Sequence, residues 1–272
     1  MAGREGLARV MLAHDRSGPR GRLPLVLLHA GVADRRMWEP PWAALTRDHD
    51  VVRLDLRGFG ESTERPDDGW SYAADVAATL AALGVERAHL VGASMGAGVA
   101  VEVALSAPGL VASLMLVSPG GSLIPRMTDQ LQEFVRAEDD AMARGDLDAA
   151  AAANVDWWLA GPHRDVEAME PAARGLVHAM QRRAFELTDD WDEIEEAEPD
   201  QPVDERLGEI AVPMLVLVGA LDIDAIGEAS AAVIAGVPGA RLATWDDVAH
   251  LPTLERPADF VTLVEEWLAT LA

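Results

Sequence analysis

Cysteine is absent from this 272-residue chain, and every one of its 22 Lys+Arg positions is arginine, so lysine is absent too. The first absence excludes disulfide scaffolds, thiolate metal sites and a cysteine nucleophile. The second excludes Schiff-base chemistry and the lysine of a phosphate-binding loop. Positive charge is scarce: 46 acidic residues give a formal net charge of −24. That field repels nucleic acid and anionic lipid surfaces, so neither is an expected partner. Long apolar runs are also missing. None approaches a membrane span, and the stretch from Met1 to Arg22 is interrupted by Arg4, Glu5, Arg9, Asp15 and Arg16, which leaves no apolar core for a secretory signal. The expectation is a soluble cytoplasmic protein. Half of the residues are nevertheless apolar, enough to bury the core of one large α/β domain with a lid, or of two small domains. No feature of the sequence fixes an oligomeric state.

The apolar residues come in short runs. L-P-L-V-L-L-H (23–29), V-V-R-L-D-L (51–56), A-H-L-V-G (88–92), S-L-M-L-V-S (113–118) and P-M-L-V-L-V-G (213–219) have strand length and are apolar on both faces, as in a buried parallel sheet. Helical periodicity lies between and after them, over Ala73–Leu83, Ala97–Leu105 and Ala258–Leu271, where Phe260, Leu263, Val264 and Leu268 share one face. Alternation of this kind predicts a doubly wound, mostly parallel α/β sheet. It breaks between Gly121 and Asp204, which contains Trp157, Trp158, Trp191 and alanine-rich helical stretches but no strand-like run. We therefore expect a core of residues 1–120 and 205–272 and a helical cap of 121–204, placed where a lid over an active site sits. The acidic run T-D-D-W-D-E-I-E-E-A-E (188–198) is expected to be a solvated helix face.

Ser94 lies in G-A-S-M-G, a match to G-x-S-x-G, with the strand A-H-L-V-G running in and the helix A-G-V-A-V-E-V-A-L running out. That context, more than the five letters, marks a nucleophile elbow. Small residues at 92, 93, 96 and 97 suit the close backbone approach of a sharp strand-to-helix turn. A serine hydroxyl needs a base. Among seven histidines, His250 follows the run R-L-A-T-W and precedes the last helix, on a loop beyond the sheet. The other six are poorer placed: His14, His49, His89, His163 and His178 lie off strand-end loops, and His29 ends an earlier strand. The imidazole in turn needs an acid to fix its tautomer. Asp222 in L-V-G-A-L-D-I-D is nearest the strand end, with Asp224 as its rival. The oxyanion requires two donors: the Met95 amide, and one from L-L-H-A-G-V-A-D, where Gly31 or Val32 stands at the right place.

With these residues assembled, the chain resembles the α/β-hydrolase superfamily, in its branch of small esterases, enol-lactonases and cofactor-free haloperoxidases. L-L-H-A-G (27–31) is similar to the family's oxyanion loop, D-L-R-G-F-G-E-S (55–62) to its fourth-strand motif, G-A-L-D (219–222) to its acid loop and V-A-H-L-P-T-L-E-R-P (248–257) to its histidine loop. The resemblance spans about residues 20–120 and 205–272, and it implies that His29 and the Asp55–Ser62 segment shape loops. The family usually has glycine where this chain has Ala30, which leaves both Gly31 and Val32 open as donor. Serine at 94 argues against epoxide hydrolases and haloalkane dehalogenases, whose covalent intermediates need a carboxylate.

The expected activity is therefore hydrolysis of a carboxylic ester or lactone of a small, apolar substrate through an acyl-enzyme, with no metal and no cofactor. Cleavage of a C–C bond beside a carbonyl and haloperoxidase-like chemistry use the same triad. A binder that keeps the triad as a sensor is the alternative from outside catalysis. Trp157 and Trp158 are candidates for the substrate pocket, or for the lid's own core.

Overall fold

The apolar runs become the parallel strands of a single sheet. The computed structural model describes residues 10–271 apart from 67, 68, 192, 193, 195, 198 and 200. Expectations that fall on those positions or on residues 1–9, including part of the acidic run, lie outside the described residues. The first half of the chain supplies β1 (His14–Ser17), β2 (Leu25–Leu28), α1 (Glu39–Asp48), β3 (Val51–Leu54), α2 (Tyr72–Ala82), β4 (Ala88–Ala93), α3 (Met95–Ser106) and β5 (Val111–Val117). The chain then leaves the sheet for α4 (Asp129–Ala143), α5 (Leu147–Asn154), a π-helix (Val155–Ala160) and α6 (Pro171–Thr188). It returns as β6 (Met214–Gly219), α7 (Asp224–Gly236), β7 (Arg241–Trp245), α8 (Pro252–Glu255) and α9 (Pro257–Ala269).

The seven strands lie in the order β1-β3-β2-β4-β5-β6-β7. All neighbours are parallel except β1, which pairs antiparallel with β3 at the edge. No apolar run in the sequence marks β1. Its residues, H-D-R-S, carry no buried face, because an edge strand needs only its ladder to β3 and is protected by charge. Side chains alternate across the sheet, giving two cores. Val26, Leu28, Leu90, Leu114, Leu116 and Val216 pack against α2, α3 and α7 through Val76, Leu80, Val99, Val103 and Val233. Leu25, Leu27, Val91, Met115, Leu215 and Leu217 face the other way, onto Leu45 of α1 and Phe260, Val264 and Trp267 of α9. Each such aliphatic residue contributes about 1.5–3 kcal/mol on burial.

Strand order reverses at β2. The chain steps from β2 to β3 on one side and then to β4 on the other, so the loops leaving β2 and β4 open a crevice between them. Open α/β sheets bind ligands at such a switch point, outside the carboxyl ends of the strands. The helical excursion packs over this region. Phe134, Val155, Trp158, Leu159, Val177 and Met180 join the second core.

The acidic run departs from expectation: α6 ends at Thr188, and the described residues of the run beyond it are in no helix. Asp189 and Asp190 fall at a helix C-terminus, where the dipole disfavours negative charge, and the acids beyond them repel at helical spacing. Trp191 is buried, 5.9 Å from the Trp70 ring, and Ala197 N–H donates to Trp70 O at 2.6 Å. Among the described residues no helix is long and apolar enough to cross a membrane.

Candidate active site

At the end of β4 the backbone turns sharply through Ser94, which has φ 51° and ψ −117°. A positive φ is rare for a residue with a Cβ and costs about 1–3 kcal/mol, so the surroundings must enforce it. They do so through hydrogen bonds. Ser94 N–H donates to Val117 O at 2.9 Å, while Ser94 O accepts from Ala97 N–H at 2.8 Å and from Gly120 N–H at 3.1 Å. Two glycines leave the room the turn needs. A Cβ on Gly96 would lie 2.5 Å from His29 O, and one on Gly120 would lie 2.9 Å from Ser94 Oγ. Gly120 was not singled out in the sequence; its only signal is the S-P-G-G run that follows β5.

The β2 loop comes up beside the elbow. A Cβ on Gly31 would sit 3.6 Å from both Cβ and Sδ of Met95, so these two residues are in contact range. The amides of Gly31, Val32 and Met95 have no acceptor among the described residues. His29 closes the loop: Nε2 accepts from Leu56 N–H at 2.9 Å, which leaves the proton on Nδ1, donated to Ala30 O at 2.8 Å. Burial holds its pKa below the usual range despite the opposing pull of Asp55 and the Ala30 carbonyl. With both ring nitrogens occupied and the charged form disfavoured, His29 is a structural strut. Asp55 accepts from the amides of Arg35 (2.7 Å) and Glu61 (2.8 Å), and Ser62 Oγ–H donates to Asp55 O at 2.8 Å, which fixes the neighbouring loop.

The loops after β6 and β7 bring Asp222 and His250 together. Asp222 Oδ2 accepts from His250 Nδ1–H at 2.8 Å, and Asp222 Oδ1 accepts from Ile223 N–H at 2.8 Å. Both side chains are almost fully buried. An acceptor-only carboxylate requires a proton on Nδ1, so the neutral tautomer it selects is the one with a lone pair on Nε2. Nε2 is buried and has no partner among the described residues, Ser94 Oγ included. Asp224 goes elsewhere: it begins α7, where its Oδ1 accepts from Thr128 Oγ1–H at 2.6 Å and its N–H donates to Gln130 Oε1 at 2.9 Å. Of the remaining histidines, His14 and His89 lie on strands, His49 pairs with Glu265 and His178 is on α6.

The two tryptophans of the π-helix part company. Trp158 is buried, its ring centroid 4.5 Å from the His250 ring and 5.0 Å from that of Phe134. Trp157 is only partly buried, against the second core. A cleft of about 860 Å³, lined by Tyr72, Met95, Glu102, Gly121, Ser122 and Glu196 among others, reaches the residue after Ser94. Glu196 is exposed as a residue, but desolvation of its carboxyl against the cleft wall, and then the nearby Glu102 charge, push that carboxyl from 4.5 up to about 7. Folding thus takes up a proton on Glu196, and stability falls as the pH rises between those values. Glu196→Gln is expected to stabilise the protein at pH 8, by no more than about 1 kcal/mol because the residue is partly solvent-screened, and to change its stability little at pH 4. Equal effects at both pH values would show that the carboxyl titrates normally.

The sequence profile described as alpha/beta hydrolase fold matches residues 24–169, more than half of the chain. A dihydrolipoyllysine-residue acetyltransferase component of an acetoin cleaving system from Pseudomonas putida is 38% identical over 122 residues, 44% of this chain and 33% of that longer protein. The chain thus spans a third of that relative's length. The carboxylesterase YbfK of Bacillus subtilis is 27% identical over 250 residues, covering 89% of this chain and 78% of that one. Among solved structures, the enol-lactonase from Burkholderia xenovorans superposes with a TM-score of 0.76 over 95% of this chain and 96% of its own, at 24% identity, a likeness of fold.

Proposed function

This chain belongs to the α/β-hydrolase family, and we propose that it is a hydrolase of carboxylic esters or lactones that works through a Ser94–His250–Asp222 triad and an acyl-enzyme. One observation carries the reading: a buried imidazole anchored by Asp222 at 2.8 Å, with its second nitrogen unpartnered, at the same carboxyl end of the sheet as a serine held at positive φ. In this scheme His250 Nε2 takes the Ser94 proton as Oγ attacks the substrate carbonyl, and Asp222 stabilises the imidazolium. The amides of Met95 and Gly31 hold the developing oxyanion, Gly31 being favoured over Val32 by its contact range to Met95. His250 then gives the proton to the leaving oxygen, and water repeats the sequence to release the acid. Residues 121–204 act as the cap over this chemistry, and the Met95 cleft gives the substrate a route to the elbow. No metal or cofactor enters any step. The similarity to the carboxylesterase YbfK supports an ester as the scissile group.

The substrate's apolar part is assigned to the Trp158 and Phe134 surface beside His250. Trp158→Ala is expected to change kcat/KM unequally across a series of fluorogenic esters of different acyl length, each methylene in an apolar pocket being worth roughly 1 kcal/mol. Trp157→Ala, its ring being only partly buried, changes the series little. A uniform loss in Trp158→Ala would remove that residue from the pocket, and no turnover of any ester or lactone by the wild type would overturn the activity.

A further inference from the structure

We propose that Arg164 and Glu255 are a positioning pair that holds the His250 imidazole in register with the nucleophile; this rests on the triad reading above. Neither residue belongs to the triad, and they lie 91 positions apart. Glu255 Oε1 accepts from the N–H of Ala249, the residue before His250, at 2.9 Å, and Glu255 Oε2 pairs with Arg164 Nη1 at 2.5 Å. The same guanidinium donates from Nη1 to Asp247 O at 3.3 Å, from Nε to Ala160 O at 2.6 Å and from Nη2 to Leu159 O at 2.9 Å. Both side chains are largely buried, 17% and 12% exposed.

One planar fork therefore ties two segments together. The first is the end of the π-helix, whose Leu159 and Ala160 carbonyls have no further turn to bond and whose Trp158 ring lies on the His250 ring. The second is the segment 247–255, a loop carrying His250 that runs into α8 and Glu255. The imidazole is then fixed from three directions: Asp222 at Nδ1, Trp158 against its ring, and Glu255 at the preceding amide. If the pair is broken, the Trp158 segment and the histidine loop are free to shift relative to each other, and Nε2 loses its aim. Lysine cannot substitute, because its point charge does not span four acceptors. On this view the end of the π-helix is a fixed wall of the catalytic centre, docked on the core.

The test measures the rate at which a fluorophosphonate labels Ser94, with ester kcat and KM, in Arg164→Met, Arg164→Lys and Glu255→Gln, each also combined with His250→Ala. Glu255→Gln keeps an acceptor for Ala249 and so probes the pair from its milder side. With His250 present, Arg164→Met is expected to slow labelling and kcat on the order of 10- to 100-fold, the penalty of a roughly 1 Å misplacement. KM should stay within about twofold, and Arg164→Lys should not rescue. In the His250→Ala background the same substitutions should slow residual labelling no further, because the pair acts only through the imidazole. Wild-type labelling in Arg164→Met, or an equal slowing with and without His250, overturns the proposal. His250→Ala labelling at the wild-type rate would instead bring down the triad reading beneath it.

Discussion

Ser94→Ala is expected to lower kcat on the order of 10⁵- to 10⁶-fold and to abolish fluorophosphonate labelling, while the protein folds as before. Alanine keeps the Cβ and every backbone hydrogen bond of the elbow, so only Oγ is lost. The companion variant separates chemistry from strain. Ser94→Gly is equally inactive, yet glycine adopts φ 51° without penalty, and it should be more stable than wild type by about 1 kcal/mol. An elbow that gains stability as it loses its nucleophile is one in which backbone strain is kept for the sake of function. Labelling at another residue, or full activity in Ser94→Ala, would take the nucleophile's role away from this position.

How much of this was legible in the sequence depends on the kind of interaction. The buried strands announced themselves, because a strand apolar on both faces must be a run of aliphatic residues. β1 did not, since an edge strand of H-D-R-S is specified by its ladder to β3 and by nothing in its own side chains. The Ser94 elbow was readable because most of its steric demands are local: Gly92 and Gly96 stand two positions away on either side, and only Gly120 comes from another loop. The choice between Asp222 and Asp224 rested on nearness to the strand end alone. What separates the two in space is Thr128 and Gln130, nearly a hundred positions earlier, which occupy Asp224. Arg164 and Glu255 were invisible for the same reason, their pairing being set by how the π-helix docks. The acidic run misled because charge spacing reads alike in a helix and in a coil, and only the buried Trp191 within it hinted that the segment is tethered.

Asp222→Asn is expected to lower kcat on the order of 10⁴-fold, and the hydrogen bonds around the carboxylate explain why so small a change costs so much. Oδ1 of Asp222 accepts from Ile223 N–H at 2.8 Å. An asparagine in this place must keep an acceptor toward that amide, so its oxygen takes the Oδ1 position and its NH₂ group takes the Oδ2 position, facing His250 Nδ1. Two donors cannot face each other in a buried site. The imidazole resolves the conflict by moving its proton to Nε2, leaving Nδ1 to accept. Nε2 then has no lone pair for the Ser94 proton, and acylation loses its base. The fold has no such conflict and should survive, with KM close to the wild-type value. Asp224→Asn is the control: an amide oxygen accepts the Thr128 hydroxyl as well as a carboxylate does, and that variant should turn over near the wild-type rate. The ranking is read from kcat of the two variants on one ester, and the reverse order would transfer the acid's role to Asp224.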